Sequence, residues 1–207
     1  MVRILCIGDT HIPNRAKNIP KQITDHITSL TKTEFFDYTL FTGDLINYLE
    51  LIVFLKSITK KKKFFSVLGN MDYHYGNRDS PIYHQVKLVL INNNRISIGL
   101  THGSQIRPRG DHSQLERFAN EKKINILVSG HTHKEEVFLT NDGNLLINPG
   151  SATGAWSFVA SGIPSFIMLK INEKNKEIRI NLFQVQKNSK ELITQNFSFT
   201  FKNNRIL

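Results

Sequence analysis

Apolar residues recur along this chain in short runs that end at glycine or at polar turn residues, a pattern typical of buried strands. In the first third of the chain the runs alternate with longer stretches that predict helices near 20–32 and 47–59. The order is therefore β-α-β-α-β, with strands at 4–8, 38–43 and 64–68. Such alternation is typical of a sheet with parallel strands.

The remainder of the chain is dominated by strands. One helix is expected at 111–122, where Asp111 is a suitable N-cap because its carboxylate can accept a free backbone N–H group. The other apolar runs lie between turn sequences such as Asn141-Asp142-Gly143, and they predict strands at 86–91, 95–101, 124–129, 134–140, 144–148, 164–171 and 176–186. Helices early and hairpins late predict two packed sheets flanked by helices.

The length of 207 residues suits one domain, which we assign to 1–186, followed by a polar C-terminal extension at 187–207. The apolar fraction of 40% is that of an ordinary folded protein. The first residues do not fit a signal peptide, and the uncharged stretch at 143–169 has too many glycines and prolines for a membrane span. The single cysteine, Cys6, lies inside an apolar run, so no disulfide is expected and a reducing cytoplasmic location fits.

The formal charge of +10 permits attraction to nucleic acid or to an anionic membrane. The basic residues are dispersed except at Lys60–Lys63, a cluster that is typical of a solvated helix end. Basic and aromatic residues do not alternate as they do in nucleic-acid platforms. A nucleic-acid-binding module is therefore the least favoured class of function.

Residues that bind divalent metals follow five of the predicted strands. The carboxyl ends of strands in an α/β sheet surround one crevice, so we expect a single site formed by Asp9, His11, Asp44, Asn70, His102, His131 and His133. Oxygen ligands combined with imidazole favour manganese, zinc or iron over magnesium or calcium. A carboxylate such as Asp44 can bridge two cations about 3.5 to 4 Å apart, so the site is expected to be bimetallic.

These groups resemble the signature of a known family, the calcineurin-like metallophosphoesterases. The similar segments are Gly8-Asp9-Thr10-His11, Gly43-Asp44, Gly69-Asn70, His102-Gly103 and Gly130-His131-Thr132-His133. The resemblance implies a four-layer αββα sandwich of two mixed sheets, and hydrolysis of a phosphoester between two divalent cations. It implies one cation bound by Asp9, His11, Asp44 and His133, and another bound by Asp44, Asn70, His102 and His131. It also places Asn70 and His102 in catalysis.

Further stretches are similar to the vacuolar-sorting subunit of the retromer coat. They are His11-Ile12-Pro13-Asn14-Arg15, Gln105-Ile106 with Pro108 and Gly110-Asp111, Ile147-Asn148-Pro149-Gly150-Ser151-Ala152-Thr153-Gly154-Ala155, and Ile163-Pro164-Ser165-Phe166. This resemblance implies a scaffold for endosomal protein transport. It implies a helical-solenoid large subunit clasping the metal-site face, regulators at an apolar patch, and a cytoplasmic protein attached to endosomal membranes through its partners.

Departures from these families concern the chemistry of the site. Eukaryotic sorting subunits tend to carry Asn in place of Asp44 and Asp in place of Asn70, so this chain has the enzyme-like ligand set. The histidine that follows Asn70 in many phosphoesterases is Met71 here, and a thioether cannot donate a proton to a leaving group. Any phosphodiesterase activity is therefore expected to be weak or dependent on the leaving group. His74 is a conceivable substitute, although it also fits an exposed loop residue.

Arg107 and Arg109 flank Pro108 at a position where the sorting subunit places apolar residues against its large partner. They fit an acidic partner surface, a substrate phosphate or a solvated loop. The predicted partner surface comprises Ile106, Arg107, Arg109, Met168 and Phe183. Trp156 and Phe158 fit either an exposed interface anchor or a buried contact beneath their loop.

Two functions follow from these resemblances. The first hypothesis is a retromer-type scaffold subunit with an occupied two-metal site. The second is a free-standing metal-dependent phosphodiesterase. The sorting-type loops favour the first, and Asp44 together with Asn70 favours the second.

Overall fold

The computed structural model describes residues 1–186, 189 and 191–207. The α-helices in this part of the chain are α1 (Lys21–Leu30), α2 (Leu49–Ser57), α3 (Asn70–His74) and α4 (His112–Lys122), and a short 3-10 helix spans Ile91–Asn93. The strands, in chain order, are β1 (Val2–Ile7), β2 (Tyr38–Phe41), β3 (Phe64–Ser66), β4 (Tyr83–Val89), β5 (Arg95–Thr101), β6 (Ile126–Val128), β7 (Glu135–Leu139), β8 (Leu145–Pro149), β9 (Ser165–Ile171), β10 (Glu177–Val185), β11 (Leu192–Lys202) and β12 (Arg205–Ile206).

The strands form two mixed sheets. Within the described residues, the larger sheet has seven strands in the order β12-β11-β10-β9-β1-β2-β3. Its strands β1, β2 and β3 are parallel, and β9 to β12 continue it as antiparallel neighbours. The smaller sheet has five strands in the order β4-β5-β6-β8-β7 over the same part of the chain. Its strands β5, β6 and β8 are parallel, with β4 and β7 antiparallel at the edges.

Side-chain alternation along the strands explains the layers. In β1, Ile4 and Cys6 belong to the cluster between the sheets, whereas Leu5 and Ile7 belong to the cluster beneath α1 and α2. Successive residues of a strand point to opposite faces, so a strand buried on both faces is apolar throughout. Helix α4 covers the outer face of the smaller sheet through Leu115. The predicted four-layer αββα sandwich is confirmed.

Helix α1 covers part of the predicted partner surface. Its residues Ile23 and Ile27 lie four positions apart, hence on one face, and both are buried against the larger sheet. Met168 and Phe183 belong to the same cluster and are only 2% and 5% exposed. His26 packs on Phe183, with ring centroids 4.5 Å apart. Helix α1 therefore covers the face of the sheet that carries Met168 and Phe183, and their contact with a partner stays a prediction.

Residues 192–206 form two strands that the sequence pattern did not predict. Strand β11 pairs with β10 over the whole length of β10, and β12 pairs with the end of β11. Phe201 and Ile206 are buried in the central cluster, whereas most other residues of β11 are exposed. The expected polar extension therefore contributes the edge of the larger sheet. Its residues 187, 188 and 190 lie outside the described part of the chain.

The remaining differences concern element ends. Strand β4 begins at Tyr83, three residues before the predicted start, and the short helix α3 was not predicted. Asp111 is the N-cap of α4, because its Oδ1 accepts the backbone N–H of Gln114 at 2.8 Å. Among the described residues no helix is both long enough and apolar enough to cross a membrane.

Candidate metal centre

The predicted ligands lie where parallel strands end: Asp9 and His11 after β1, Asp44 after β2, Asn70 after β3, His102 after β5, and His131 and His133 after β6. The two sheets bring these strand ends to one edge of the sandwich. All of these side chains are buried except Asn70, which is exposed. The cluster is therefore accessible from the side of Asn70.

The first group of ligand atoms comes from Asp9, His11, Asp44 and His133, which offer one atom each within 4.8 Å of one another. Nε2 of His11 lies 3.0 Å from Nε2 of His133 and 3.3 Å from Oδ2 of Asp44. Nε2 of His133 lies 3.5 Å from Oδ1 of Asp9. Two imidazole nitrogens and two carboxylates therefore face one point, a donor set that suits a transition-metal ion.

A second group adjoins the first through Asp44. Nε2 of His102 lies 3.5 Å from Oδ2 of Asp44 and 3.0 Å from Oδ1 of Asn70. The His131 ring lies beside the His102 ring, with centroids 5.0 Å apart. The same carboxylate oxygen, Oδ2 of Asp44, is thus near both His11 and His102, as a bridging ligand would be.

Backbone carbonyl groups orient two of the imidazoles. Nδ1 of His133 donates to the carbonyl oxygen of Ala155 at 2.9 Å, and Nδ1 of His102 donates to that of Thr42 at 2.8 Å. A donor at Nδ1 leaves the lone pair on Nε2, which points into the cluster. Such outer hydrogen bonds fix the tautomer and the ring orientation of metal-binding histidines.

Burial shapes the protonation of the centre. It raises the pKa of Asp9 to about 7 and also raises the pKa of Asp44, because desolvation disfavours a charged carboxylate. Burial lowers the pKa of His131 to about 3 and that of His133 to about 4. Neutral imidazoles can coordinate a metal ion, and a cation would offset the buried carboxylate charge. The residues therefore fit a divalent metal.

Close backbone approach explains the glycines beside the ligands. A Cβ on Gly69 would overlap the carboxylate of Asp44, and a Cβ on Gly130 would overlap that of Asp9. Left-handed backbone, with φ from 49° to 68°, occurs at Asp9, His11, Asp44, His131 and His133. Non-glycine residues rarely adopt this conformation, and it is concentrated at functional sites.

Asp72 supports the site, although it is not among the residues predicted from the sequence. Its buried carboxylate accepts the backbone N–H groups of Asp44 at 2.7 Å, Ile46 at 2.9 Å and Gly69 at 3.0 Å. These bonds hold the loop that carries Asp44. The available signal was a helix cap: Asp72 is the third residue of α3 after Gly69, where a carboxylate can reach back to free N–H groups.

Replacing Asp72 with asparagine is expected to destabilise the protein. The amide keeps the shape of the side chain but turns an N–H donor toward a backbone N–H donor. Hydrogen bonds to charged groups contribute about 1.5–3 kcal/mol each, so the free energy of unfolding should fall by at least about 2 kcal/mol. Urea unfolding measures this, with Asp79→Asn in the exposed loop after α3 as control. Equal losses in the two variants would refute the supporting role.

Residues 2–174 match the calcineurin-like phosphoesterase superfamily domain. The chain belongs to this superfamily. It is 33% identical over 147 residues to a probable metallophosphoesterase of Methanocaldococcus jannaschii, and the match covers 71% of this chain but only 66% of that relative.

Solved structures with this superfamily fold include sorting proteins. Vacuolar Protein Sorting 29 of Cryptosporidium parvum is similar to this chain, with a TM-score of 0.80 and 30% identity over 96% of this chain and 98% of the other. Vps29 of Entamoeba histolytica, complexed with zinc, is similar with a TM-score of 0.79 and 29% identity over 95% of this chain and 99% of the other. The superfamily fold implies a divalent-metal site, in agreement with the donor set around Asp44.

The loop after β5 places Arg107 and Arg109 on the surface. Together with Asn70 and His131 they line an open cavity of about 590 Å³. Ile106 in the same loop is only 5% exposed and packs in the cluster beneath α4. Ile106 therefore anchors the loop and exposes little apolar area, and its contact with a partner stays a prediction.

Trp156 and Phe158 are 62% and 80% exposed, so they are not buried beneath their loop. Their rings form an edge-to-face pair with centroids 5.1 Å apart. The guanidinium of Arg15 lies 5.7 Å from the Trp156 ring, and that of Arg109 lies 5.8 Å from the Phe158 ring. Aromatic rings and cations therefore share one rim beside the cavity.

Helix α3 carries Met71, at the position where many phosphoesterases have a proton-donating histidine, and His74, the conceivable substitute donor. Met71 is half-buried directly after Asn70, and its backbone N–H donates to Oδ1 of Asp44 at 2.8 Å. His74 is exposed at the end of α3, and its ring packs edge-on against Tyr75, with centroids 5.4 Å apart. His74 therefore has the surroundings of a surface residue.

Proposed function

We propose that this chain is a retromer-type sorting subunit that retains a two-metal phosphoesterase centre. The observation that supports it is the likeness to Vps29, which spans 96% of this chain at a TM-score of 0.80 and 30% identity. Segment 147–155, which comprises the end of β8 and the loop after it and is one of the stretches similar to the sorting subunit, also supports the predicted ligands. Ser151 Oγ donates to the backbone oxygen of Asp9 at 2.7 Å, and Ala155 accepts from His133 at 2.9 Å.

The proposed metal sites share Asp44. One site is formed by Asp9, His11, Asp44 and His133, and the other by Asp44, Asn70, His102 and His131. Manganese, zinc or iron is the expected metal, with magnesium less suited to imidazole. When bound, the cations would polarise a phosphoester and neutralise the charge that develops on hydrolysis.

Asn70 and His102 are the proposed catalytic residues. Asn70 is the exposed member of the ligand set, so a phosphoester entering from solvent meets it first. His102 is held in place by its bond to Thr42 and lies 3.0 Å from the Asn70 amide oxygen. The two side chains therefore present a fixed pair of polar atoms to an incoming phosphate.

The proposed large partner is a helical solenoid that covers the metal-site face. It would place the chain on the cytoplasmic side of endosomal membranes without a membrane span of its own. Burying an unpaired guanidinium costs several kcal/mol, so the partner must supply Asp or Glu opposite Arg107 and Arg109. Association should therefore weaken as the salt concentration rises.

Charge reversal at both arginines is expected to abolish the complex. Arg107→Glu with Arg109→Glu would set like charges against the acidic partner surface, while the metal content should stay unchanged because neither side chain is a ligand. Co-purification from the native cell measures the association. Arg95→Glu, at the opposite end of β5 from His102, is the control. Unchanged recovery of the partner by the double variant would place the docking surface elsewhere.

A free-standing phosphodiesterase is the second candidate function. It is favoured by the accessible centre, because the exposed Asn70 opens on a cavity of about 590 Å³. It is also favoured by the burial of Ile106, Met168 and Phe183, which leaves little apolar area exposed at the predicted partner surface.

Purification of the tagged protein from its native cell separates the two candidates. Stable recovery of a helical-repeat protein, lost on charge reversal at Arg107 and Arg109, would establish the sorting subunit. A monomer that hydrolyses a nitrophenyl phosphodiester only when supplied with manganese or zinc would establish the enzyme. The Asp44→Ala variant distinguishes turnover at this centre from contamination.

A further inference from the structure

The cavity beside the metal centre is larger than a single phosphate requires. It has a volume of about 590 Å³, with Asn70 and His131 on one side and Arg107 and Arg109 among the other lining residues. Pockets for small organic molecules have volumes of about 300–1,000 Å³. A phosphoester bound at Asn70 therefore has room to extend toward the two arginines.

The arginines are available to an anion. Within the described residues no carboxylate lies within 4.0 Å of either guanidinium. The Gln114 side chain donates to the backbone oxygen of Arg107, which fixes the loop on α4, and Nη1 of Arg109 lies 3.4 Å from the backbone oxygen of His131. A guanidinium has five N–H donors and binds phosphate in a bidentate manner. The loop thus places two guanidinium groups next to the predicted metal ligands.

Met71 restricts the group that can leave. A thioether donates no proton, so the departing oxygen must be stable as an anion. An alkoxide is not stable in neutral water, whereas a phosphate group is, because its second pKa is about 6. The missing proton donor and the paired arginines therefore favour the same leaving group, a second phosphate.

We infer that the substrates of this centre are phosphoanhydrides, in which a second phosphate follows directly on the one bound at the ligands. The inference rests on the proposed hydrolytic centre, in the chain whose metal-site face is free of the partner, and names its substrate class. The oxygen of one water bonds to the phosphorus at the ligands, and the bridging P–O bond breaks. The electron pair of that bond leaves with the second phosphate, which Arg107 and Arg109 bind, and the two protons of the water pass to the two phosphate products or to solvent.

Binding tests the inference without turnover. The single tryptophan of the chain, Trp156, packs on Phe158, which lies 5.8 Å from the Arg109 guanidinium, so its fluorescence can report occupancy. Metal-free protein is titrated with AMP and with ADP, which differ only in the second phosphate. ADP should bind at least about tenfold more tightly than AMP. The preference should fall below about twofold in Arg107→Gln with Arg109→Gln.

The matched control removes two exposed arginines elsewhere, Arg95→Gln with Arg179→Gln, so that the change in net charge is the same. It should keep the full preference for ADP. A preference that is absent in the wild type, or that is equal in the two double variants, would overturn the inference, because the second phosphate would then have no binding site at the cavity.

Turnover by the manganese-loaded protein gives the second test. ADP-ribose, a phosphoanhydride, should be hydrolysed to AMP and ribose phosphate. The ratio of its rate to that of a nitrophenyl diester should fall at least about tenfold in Arg107→Gln with Arg109→Gln. Cleavage of the nitrophenyl diester without cleavage of ADP-ribose would overturn the phosphoanhydride inference alone. Cleavage of neither compound would overturn the hydrolytic centre together with the inference.

Discussion

Asp44→Ala is expected to remove both metal ions from the protein. The wild type, supplied with manganese or zinc, should bind about two ions per chain, and the variant should bind almost none. Oδ2 of Asp44 lies 3.3 Å from Nε2 of His11 and 3.5 Å from Nε2 of His102, so both groups lose their common oxygen together. Elemental analysis of the desalted protein measures the metal content.

Two further variants separate ligand loss from unfolding. Oδ1 of Asp44 also accepts the backbone N–H of Met71 at 2.8 Å, and alanine removes this support for α3. Asp44→Asn keeps a carbonyl acceptor but removes the charge, so it should lose metal while retaining the circular dichroism of the wild type. Asp25→Ala removes an exposed carboxylate paired with Lys21 and should retain both ions. Full occupancy in either Asp44 variant would exclude the shared role.

The positions of the predicted ligands could be read from the sequence because the signal is local. Each group follows a short apolar run and a nearby glycine, and the ends of parallel strands must meet at one edge of a sheet. The glycines have a steric reason that the pattern alone does not give. Gly69 and Gly130 leave space for the carboxylates of Asp44 and Asp9.

Asp72 could not be assigned in this way because its role is long-range. Its carboxylate binds the backbone of Asp44 and Ile46, which lie 28 and 26 residues away in sequence. A short polar stretch gives no hydrophobic period from which to infer α3. The sequence shows only that Asp72 suits a position near the start of a helix. It does not show which loop the carboxylate supports.

The burial of Met168 and Phe183 beneath α1 could not be predicted for a similar reason. Met168 and Phe183 lie on strands whose burial depends on α1, which is distant in sequence and packs on them through Ile23 and Ile27. The apolar pattern shows that such residues are buried against something, but it does not distinguish an internal helix from a partner protein. Strand β11 was not predicted because most of its residues are exposed and give no apolar pattern. It is a strand because its backbone pairs with β10.

Met71→His is expected to raise activity mainly on esters with poor leaving groups. General-acid catalysis contributes about 10²–10⁴-fold, so hydrolysis of an alkyl phosphodiester should rise by about 10²-fold. Hydrolysis of a nitrophenyl diester should rise by less than about threefold, because its leaving group departs without a proton. Initial rates of the manganese-loaded variant on the two esters measure the difference.

Met71→Leu is the matched control, since it keeps an apolar side chain and provides no proton. Metal content checks both variants, because the backbone N–H of residue 71 donates to Asp44 whatever the side chain. Equal gains on the two esters, or the same gain with leucine, would show that the side chain acts by packing rather than by proton transfer. ADP-ribose should respond like the nitrophenyl ester, because its leaving phosphate needs no proton. A large gain on ADP-ribose would mean that its bridging oxygen requires a proton from an acid. In that case Met71 would not favour phosphate as the leaving group, and it would no longer support the substrate class inferred from Arg107 and Arg109.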